Sequence, residues 1–185
     1  MARRQGHFRL ESGYHSDAWL ELDQLVTRPA LLRRFATELG SKISRHRIDC
    51  VCGPLTGGAF LAQLIAVDLD VDFVFAERIM TDRPGFYPVD YRIALSLRET
   101  IRGKRVAIVD DAISAGSAVR ATLADVQACD AVPVALGALL IFGSRAGQFA
   151  AQQRIPLEWL VDLPDSMWAP TECPMCADGT PLTIP

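Results

Sequence analysis

The feature that most constrains the fold is a short apolar run that ends in two acidic residues. Residues 106–109 are all apolar, which is typical of a strand buried on both faces of a parallel sheet. Asp110 and Asp111 follow directly, then a loop of small residues at 112–117 and a helical pattern over 118–129. In open α/β sheets, ligands bind where such a loop meets a helix N-terminus. This stretch therefore predicts an α/β fold with a ligand site at the turn.

The residues of this turn indicate a ligand with two chemically different ends. A loop with few side chains lets backbone N–H groups approach an anion, and the helix N-terminus adds partial positive charge. Ser114 and Ser117 add hydroxyl donors, whereas Asp110 and Asp111 accept hydrogen bonds from hydroxyl groups. A sugar phosphate offers both ends. The alternative is a simple capped helix in which the two acids only form a turn.

Length and composition favour a single globular domain. A chain of 185 residues, half of them hydrophobic and 22% charged, is long enough for a central sheet covered by helices on both faces. The net charge of −3 argues against a nucleic-acid-binding surface as the main function. No apolar run has transmembrane or signal-peptide character, and the five cysteines follow no secreted disulfide pattern. We expect a cytoplasmic protein that binds neither nucleic acid nor membrane.

Hydrophobic patterning divides the chain into alternating strands and helices. Besides 106–109, strands are predicted at 6–11, 18–22, 48–52, 71–76, 91–95, 132–142 and 158–162. Besides 118–129, helices are predicted from Pro29 onward, at 59–67 and at 146–153. This alternation predicts a mainly parallel central sheet flanked by helices. We expect one domain over residues 1–163, and a proline-rich, irregular tail over 164–185 that packs on it.

A second loop of small residues follows the predicted strand at 48–52. Leu55, Thr56, Gly57 and Gly58 lead from it into the predicted helix at 59–67. If the two strands are neighbours, backbone N–H groups of both loops converge on one polyphosphate. A plain strand-to-helix turn is the alternative.

Two segments resemble the signatures of a known enzyme family. The segment VAIVDDAISAGSA, residues 106–118, resembles the phosphoribosyl-pyrophosphate (PRPP) signature of type I phosphoribosyltransferases. The segment GHFRLESGYHSDAWLELD, residues 6–23, is similar to the N-terminal segment of the orotate phosphoribosyltransferases. The resemblance implies the type I phosphoribosyltransferase fold, with a small N-terminal hood over residues 1–27. It also implies a homodimer, because members of the family complete each other's sites across a two-fold interface.

The resemblance assigns roles to individual residues. Asp110 and Asp111 would hold the ribose hydroxyls, and the two loops would hold the phosphates. The PRPP-binding residues would be Leu55, Thr56, Gly57, Gly58, Asp110, Asp111, Ala112, Ser114, Ala115, Gly116, Ser117 and Ala118. The base-binding residues would be Phe8, Trp19, Leu20 and Arg145, for which core packing or a surface position is the alternative. Arg78 and Arg83 would join Asp110 and Asp111 as catalytic residues, with Mg²⁺ held mainly by substrate and water.

The chain departs from the family pattern at three places. Glu11 and Gly57 stand where the family has lysines, and nothing in residues 80–90 matches the Lys and His residues of the family's mobile catalytic loop. Such cations make charge-assisted contacts to pyrophosphate. We predict a Mg²⁺-dependent enzyme that joins orotate or a related base to PRPP and releases pyrophosphate. The alternatives are a PRPP-binding regulatory or accessory protein with little turnover, and a phosphoribosyltransferase for a different base.

Two cysteines of the tail form a C-x-x-C pair, Cys173 and Cys176. Two ligands do not complete a structural zinc site, which takes four, and Cys50 and Cys52 lie in a strand predicted to be buried. A redox role is not indicated, because the pair does not open a helix after a strand. We therefore expect free thiols in the tail.

Overall fold

Nine strands and seven helices occur in residues 2–164 and 166–185, the part of the chain that this computed structural model describes. The strands are β1 (Ala2–Arg9), β2 (His15–Glu21), β3 (Cys50–Pro54), β4 (Asp72–Met80), β5 (Val89–Ile93), β6 (Arg105–Ile113), β7 (Val132–Phe142), β8 (Leu157–Leu163) and β9 (Met167–Trp168). The helices are α1 (Asp23–Val26), α2 (Pro29–Ile43), α3 (Gly57–Leu69), α4 (Arg98–Ile101), α5 (Ser117–Ala128), α6 (Arg145–Gln153) and α7 (Pro174–Ala177). Each predicted strand and helix is present, with its ends displaced by four residues or fewer. None of these helices is long and apolar enough to cross a lipid bilayer.

The predicted, mainly parallel central sheet is confirmed. Its strand order is β5-β4-β3-β6-β7-β8, and only β5 runs antiparallel to its neighbour. Parallel neighbours need crossover connections, which are supplied by α3 between β3 and β4, by α5 between β6 and β7, and by α6 between β7 and β8. The strands β1, β2 and β9 form a second, antiparallel sheet.

Burial of β6 on both faces explains its unbroken apolar run. Val106 and Ile108 pack in a cluster with α5 and α6, whereas Ala107 and Val109 pack in a cluster with α2 and α3. All four side chains are fully buried. Because successive side chains of a strand point to opposite faces, a central strand between two helix layers has no position for a polar residue.

The strand β6 is longer than predicted, because it continues through both acids to Ile113. Its pairing with β3 stops at Ile108, opposite Cys52, whereas its pairing with β7 continues to Ile113. Asp110 and Asp111 therefore lie on a strand that is held from one side only. Their edge toward β3 is free to meet the loop that follows β3.

The two ends of the chain build the small sheet together. Met167 and Trp168 pair with Ser16 and His15 of β2. Farther along the tail, the Thr183 N–H donates to the His7 carbonyl at 2.7 Å, and the Arg9 N–H donates to the Thr183 carbonyl at 2.9 Å. The tail thus extends the sheet of the hood.

A half-buried ion pair fixes the edge strand β5 to the helices α4 and α5. The Asp125 carboxylate accepts hydrogen bonds from Arg98 at 2.9 Å and from the Ile93 N–H at 2.7 Å. The Arg98 guanidinium also donates to the Ile93 carbonyl at 3.2 Å. The Asp125 and Arg98 side chains are only 12% and 27% exposed, so loss of either partner leaves a poorly hydrated charge.

We expect Asp125→Asn to lower the free energy of unfolding by about 2–3 kcal/mol. For a chain of this size the melting temperature should fall by about 4–10 °C, which calorimetry measures. The matched control is Asp130→Asn, because Asp130 pairs with Arg102 on the surface, where both side chains are more than half exposed. That change should cost no more than about 0.5 kcal/mol. Equal effects of the two substitutions would contradict the account.

Candidate active site

A cleft of about 710 Å³ lies at the carboxyl ends of β3 and β6, beneath the hood. From the sheet and its loops, its lining includes Pro54, Leu55, Thr56, Gly57, Arg78, Tyr91, Asp110, Asp111, Ala112, Ser114, Gly116, Ser117 and Ala118. From residues 1–27 it includes Arg3, Glu11, Asp17, Trp19, Leu20, Glu21 and Asp23. This is the edge of an open α/β sheet at which ligands bind.

Asp110 and Asp111 present two adjacent carboxylates to the cleft. The Asp111 N–H donates to Asp110 Oδ1 at 3.0 Å, and the Ala112 N–H donates to Asp111 Oδ1 at 2.8 Å. Burial raises the pKa of both carboxyl groups, and the charge of Asp111 raises the pKa of Asp110 further. Ionised carboxylates in this setting gain most from a ligand that donates hydrogen bonds to them, as a sugar diol does.

The loop before α5 is arranged for an anion. Ser114, Gly116 and Ser117 line the cleft, and Gly116 has a φ of 80°, which a residue with a Cβ rarely adopts. The Ala115 carbonyl accepts a hydrogen bond from Arg120 Nε at 3.2 Å. α5 begins at Ser117, so the N–H groups of its first turn, which lack partners within the helix, lie at this loop.

The loop after β3 packs directly against the acids. A Cβ at Gly53 would lie 2.1 Å from the Gly58 carbonyl oxygen, so the turn into α3 requires a glycine there. A Cβ at Gly57 would lie 2.2 Å from Asp111 Oδ2. A lysine at position 57 is therefore incompatible with this placement of the Asp111 carboxylate. The structure brings the two predicted loops together and places Gly57, one departure from the family pattern, against the Asp111 side chain.

Glu11, the second departure, holds an arginine of the cleft. Arg78 Nε lies 2.8 Å from Glu11 Oε2, and the Tyr91 hydroxyl donates to the same oxygen at 3.1 Å. Arg78 and Tyr91 are cross-strand partners on β4 and β5. Burial raises the pKa of the Tyr91 hydroxyl, and the nearby Glu11 charge adds to the rise, so this hydroxyl stays protonated as a donor. Arg78 thus faces the cleft with part of its charge offset.

The cleft is strongly acidic. Six acidic residues line it, Glu11, Asp17, Glu21, Asp23, Asp110 and Asp111, together with Arg3 and Arg78; Glu11 is paired with Arg78, and Glu21 with Arg4. Asp17 Oδ1 is buried and accepts no hydrogen bond from the described residues. Carboxylate oxygens are the protein ligands that Mg²⁺ prefers, so the donor set fits a divalent cation. Asp17 gave no signal in the sequence beyond its position inside the N-terminal motif.

Several predicted site residues lie outside the lining of the cleft. Phe8 is 3% exposed and packs near Trp19, with ring centroids 6.4 Å apart. Arg145 begins α6, and its guanidinium lies 4.5 Å from the centroid of the Tyr14 ring. Arg83 pairs with Asp90 in the connection between β4 and β5. Of the predicted base-binding residues, Trp19 and Leu20 line the cleft, as do most residues of the two loops.

The segment between β4 and β5 is largely exposed, and part of it packs on the turn between β1 and β2. The Tyr14 ring stacks on Phe86, with centroids 4.3 Å apart. The Tyr87 N–H donates to the Ser12 carbonyl at 3.0 Å. The Arg120 guanidinium lies 5.1 Å from the centroid of the Tyr87 ring. The first two contacts join the hood to this segment, and the third joins the segment to α5.

Sequence comparison identifies relatives along nearly the whole chain. The family described as "Phosphoribosyl transferase domain" matches residues 21–151. An orotate phosphoribosyltransferase of Caldanaerobacter subterraneus is 32% identical over 184 residues, which are 98% of this chain and 88% of that protein. An orotate phosphoribosyltransferase of Helicobacter pylori is also 32% identical, over 96% of this chain and 90% of that protein.

Solved structures share the fold. The orotate phosphoribosyltransferase of Aeropyrum pernix superposes with a TM-score of 0.66 at 20% identity, covering 88% of both chains. The adenine phosphoribosyltransferase of Trypanosoma brucei, solved with AMP, pyrophosphate and ribose-5-phosphate, superposes with a TM-score of 0.64 at 18% identity, covering 85% of this chain and 75% of that one. With paired acids between two small-residue loops, and with relatives that span nearly its whole length, the chain belongs to the type I phosphoribosyltransferase family, in its orotate phosphoribosyltransferase-like branch.

Proposed function

We propose that this phosphoribosyltransferase joins orotate, or a closely related pyrimidine base, to C1 of PRPP in the presence of Mg²⁺ and releases pyrophosphate. The observation that carries the proposal is the pair of buried carboxylates, Asp110 and Asp111, directly before the loop and first turn of α5. Orotate is favoured as the base because relatives named orotate phosphoribosyltransferase align with 96–98% of the chain.

The ribose end of PRPP fits the end of β6. Asp110 and Asp111 accept hydrogen bonds from the 2′- and 3′-hydroxyl groups, and the loop at 114–118 donates N–H and hydroxyl groups to the 5′-phosphate. The loop at 55–58 lies against the same carboxylates and so borders the pyrophosphate. Substrate orientation in the cleft is the main contribution of these residues to the rate.

We expect Mg²⁺ to bind together with the substrate, because the acidic side chains of the cleft would repel a polyphosphate alone. Substrate oxygens and water would supply most of the ion's ligands, and the Asp111 carboxylate, which lines the cleft, could supply one. When bound, Mg²⁺ neutralises charge on the pyrophosphate leaving group.

The chemistry asks the protein for positioning and for electrostatic stabilisation. The C1–O bond to pyrophosphate breaks as the base nitrogen forms its bond to C1, and the ribose carries positive charge in the transition state. Asp110 and Asp111 stabilise this charge through the hydroxyl groups that they hold, and Arg78 faces the leaving group or the base. We include a homodimer in the proposal, on the strength of the family resemblance.

Asp110→Asn should lower the activity of the protein while raising its stability. The amide keeps the shape and the Oδ1 acceptor but removes the charge, so we expect kcat/KM with orotate and PRPP to fall about 100-fold or more. The melting temperature should rise by about 3 °C or more at pH 8, because a buried charge beside Asp111 is removed. Asp162→Asn, at an exposed position of the edge strand β8, is the matched control and should leave both quantities unchanged.

The stabilisation by Asp110→Asn should depend on pH. The folded-state pKa of Asp110 is raised, so the folded protein binds more protons than the unfolded chain above about pH 4, the ordinary Asp pKa. The free energy of unfolding of the wild type should therefore fall relative to that of the variant as the pH rises. The difference in melting temperature should be larger at pH 8 than at pH 5. A difference that shrinks with rising pH would contradict the assignment.

Two arginines of the β4–β5 hairpin should behave differently. Arg78 lines the cleft, whereas Arg83 pairs with Asp90 outside it. We expect Arg78→Gln to lower kcat/KM about 10-fold or more, because a cation near the substrate's negative charge is lost. Arg83→Gln should change it less than about 3-fold, because the Arg83 guanidinium is paired with Asp90 and lies outside the cleft. A large loss with Arg83→Gln and none with Arg78→Gln would overturn this placement.

A further inference from the structure

Four side chains that commonly bind metal ions meet outside the cleft. His7 comes from β1 and His15 from β2. Cys173 directly precedes α7, and Cys176 lies within that short helix. One ligand atom of each lies within 4.8 Å of the others. His7, His15 and Cys173 are buried, and Cys176 is exposed. The cluster joins residues from opposite ends of the chain.

The distances between these atoms are those of a small coordination sphere. His7 Nε2 lies 3.0 Å from His15 Nδ1, and Cys176 Sγ lies 3.2 Å from that same nitrogen. Cys173 Sγ and Cys176 Sγ lie 3.4 Å and 3.7 Å from His7 Nε2. Tetrahedral Zn²⁺ with Zn–N of about 2.0 Å and Zn–S of about 2.3 Å separates its ligand atoms by about 3.3–3.8 Å. These four separations are each within about 0.4 Å of the tetrahedral values, and all the ligand atoms lie within 4.8 Å of one another.

The surroundings of His7 direct a lone pair at the centre of the cluster. His7 Nδ1 lies 2.8 Å from the Thr180 carbonyl oxygen, which only accepts, so Nδ1 carries the proton and Nε2 does not. A metal-binding histidine is typically oriented in this way, with its outer nitrogen donating to a carbonyl or carboxylate.

We propose that His7 Nε2, His15 Nδ1, Cys173 Sγ and Cys176 Sγ bind one Zn²⁺ in a closed, tetrahedral structural site. Two nitrogen and two sulfur ligands in tetrahedral reach are a zinc set rather than a magnesium or calcium set. Each thiol releases its proton when the Zn–S bond forms. The sequence alone left the two cysteines as free thiols, because the histidines that complete the set stand about 160 positions earlier.

The site would fasten the tail to the hood above the cleft. His15 pairs with Trp168 across β2 and β9, and the residues that follow His15 on β2 line the cleft. Apart from two residue pairs of β9, the tail is attached here by the Thr183 and Thr180 hydrogen bonds. A four-ligand metal would therefore set the position of the strand that carries Asp17 and Trp19.

The direct test measures zinc in the full-length protein purified under reducing conditions without chelators. Elemental analysis should find about one zinc per chain, and X-ray absorption should show two sulfur and two nitrogen ligands. After metal exchange, Co²⁺ should give the intense visible absorption of a tetrahedral site with thiolate-to-cobalt charge transfer. These readouts are independent of catalysis, so they can fail or succeed whatever the fate of the proposed activity.

Variants locate the site. Cys176→Ser removes an exposed ligand and leaves the core intact, and it should lower zinc affinity about 100-fold or more in a competition titration with a chromophoric chelator. Cys129→Ser, at a buried thiol outside the cluster, is the matched control and should retain wild-type zinc.

Three results would overturn the proposal. The first is wild-type protein that contains no zinc and takes up neither Zn²⁺ nor Co²⁺ when titrated under reducing conditions. The second is bound Co²⁺ with only the weak absorption of octahedral coordination. The third is zinc that persists undiminished in Cys176→Ser and His15→Gln, because the metal would then lie elsewhere.

Discussion

The site depends on two like charges held next to each other at the end of a buried strand. β6 has its apolar residues covered on both faces, and the same strand continues into Asp110 and Asp111. Burial raises the pKa of both carboxyl groups, which is an energetic cost to the free protein. The loop after β3 and the loop before α5 both close on this pair. The cost is offset when a ligand donates hydrogen bonds to the carboxylates, so a local instability of the fold becomes binding specificity.

Charge in the cleft explains how the chain manages without the family lysines. Glu11 stands at one of those positions and pairs with Arg78, while at the other the Asp111 carboxylate lies against Gly57, in the space that a Cβ there would occupy. With an acid at position 11 and no lysine at position 57, the cleft is lined by more acidic than basic side chains. In our account the missing cations are supplied with the substrate, as Mg²⁺, and not by side chains. The segment between β4 and β5 contributes packing against Tyr14.

Features that depend on residues close together in the sequence could be predicted from it. The central sheet, its helices and the paired acids followed from patterns within a few residues. Packing between elements was harder to predict: Ala36 and Gly40 lie on the buried face of α2, where small residues let α2 approach α3 closely. Contacts between distant residues gave no signal in the sequence. The ion pair of Glu11 with Arg78 and the meeting of His7 with Cys173 each depend on the completed fold.

The central claim is that the acidic cleft binds PRPP only together with Mg²⁺, and calorimetric titration tests it most directly. The wild-type chain is titrated with PRPP in magnesium-free buffer and again with Mg²⁺, without chelators that would remove other metals. The account predicts binding about 100-fold tighter with Mg²⁺ than without it, and pyrophosphate release when orotate is added. PRPP affinity that is equal with and without Mg²⁺, or absent in both, would contradict it.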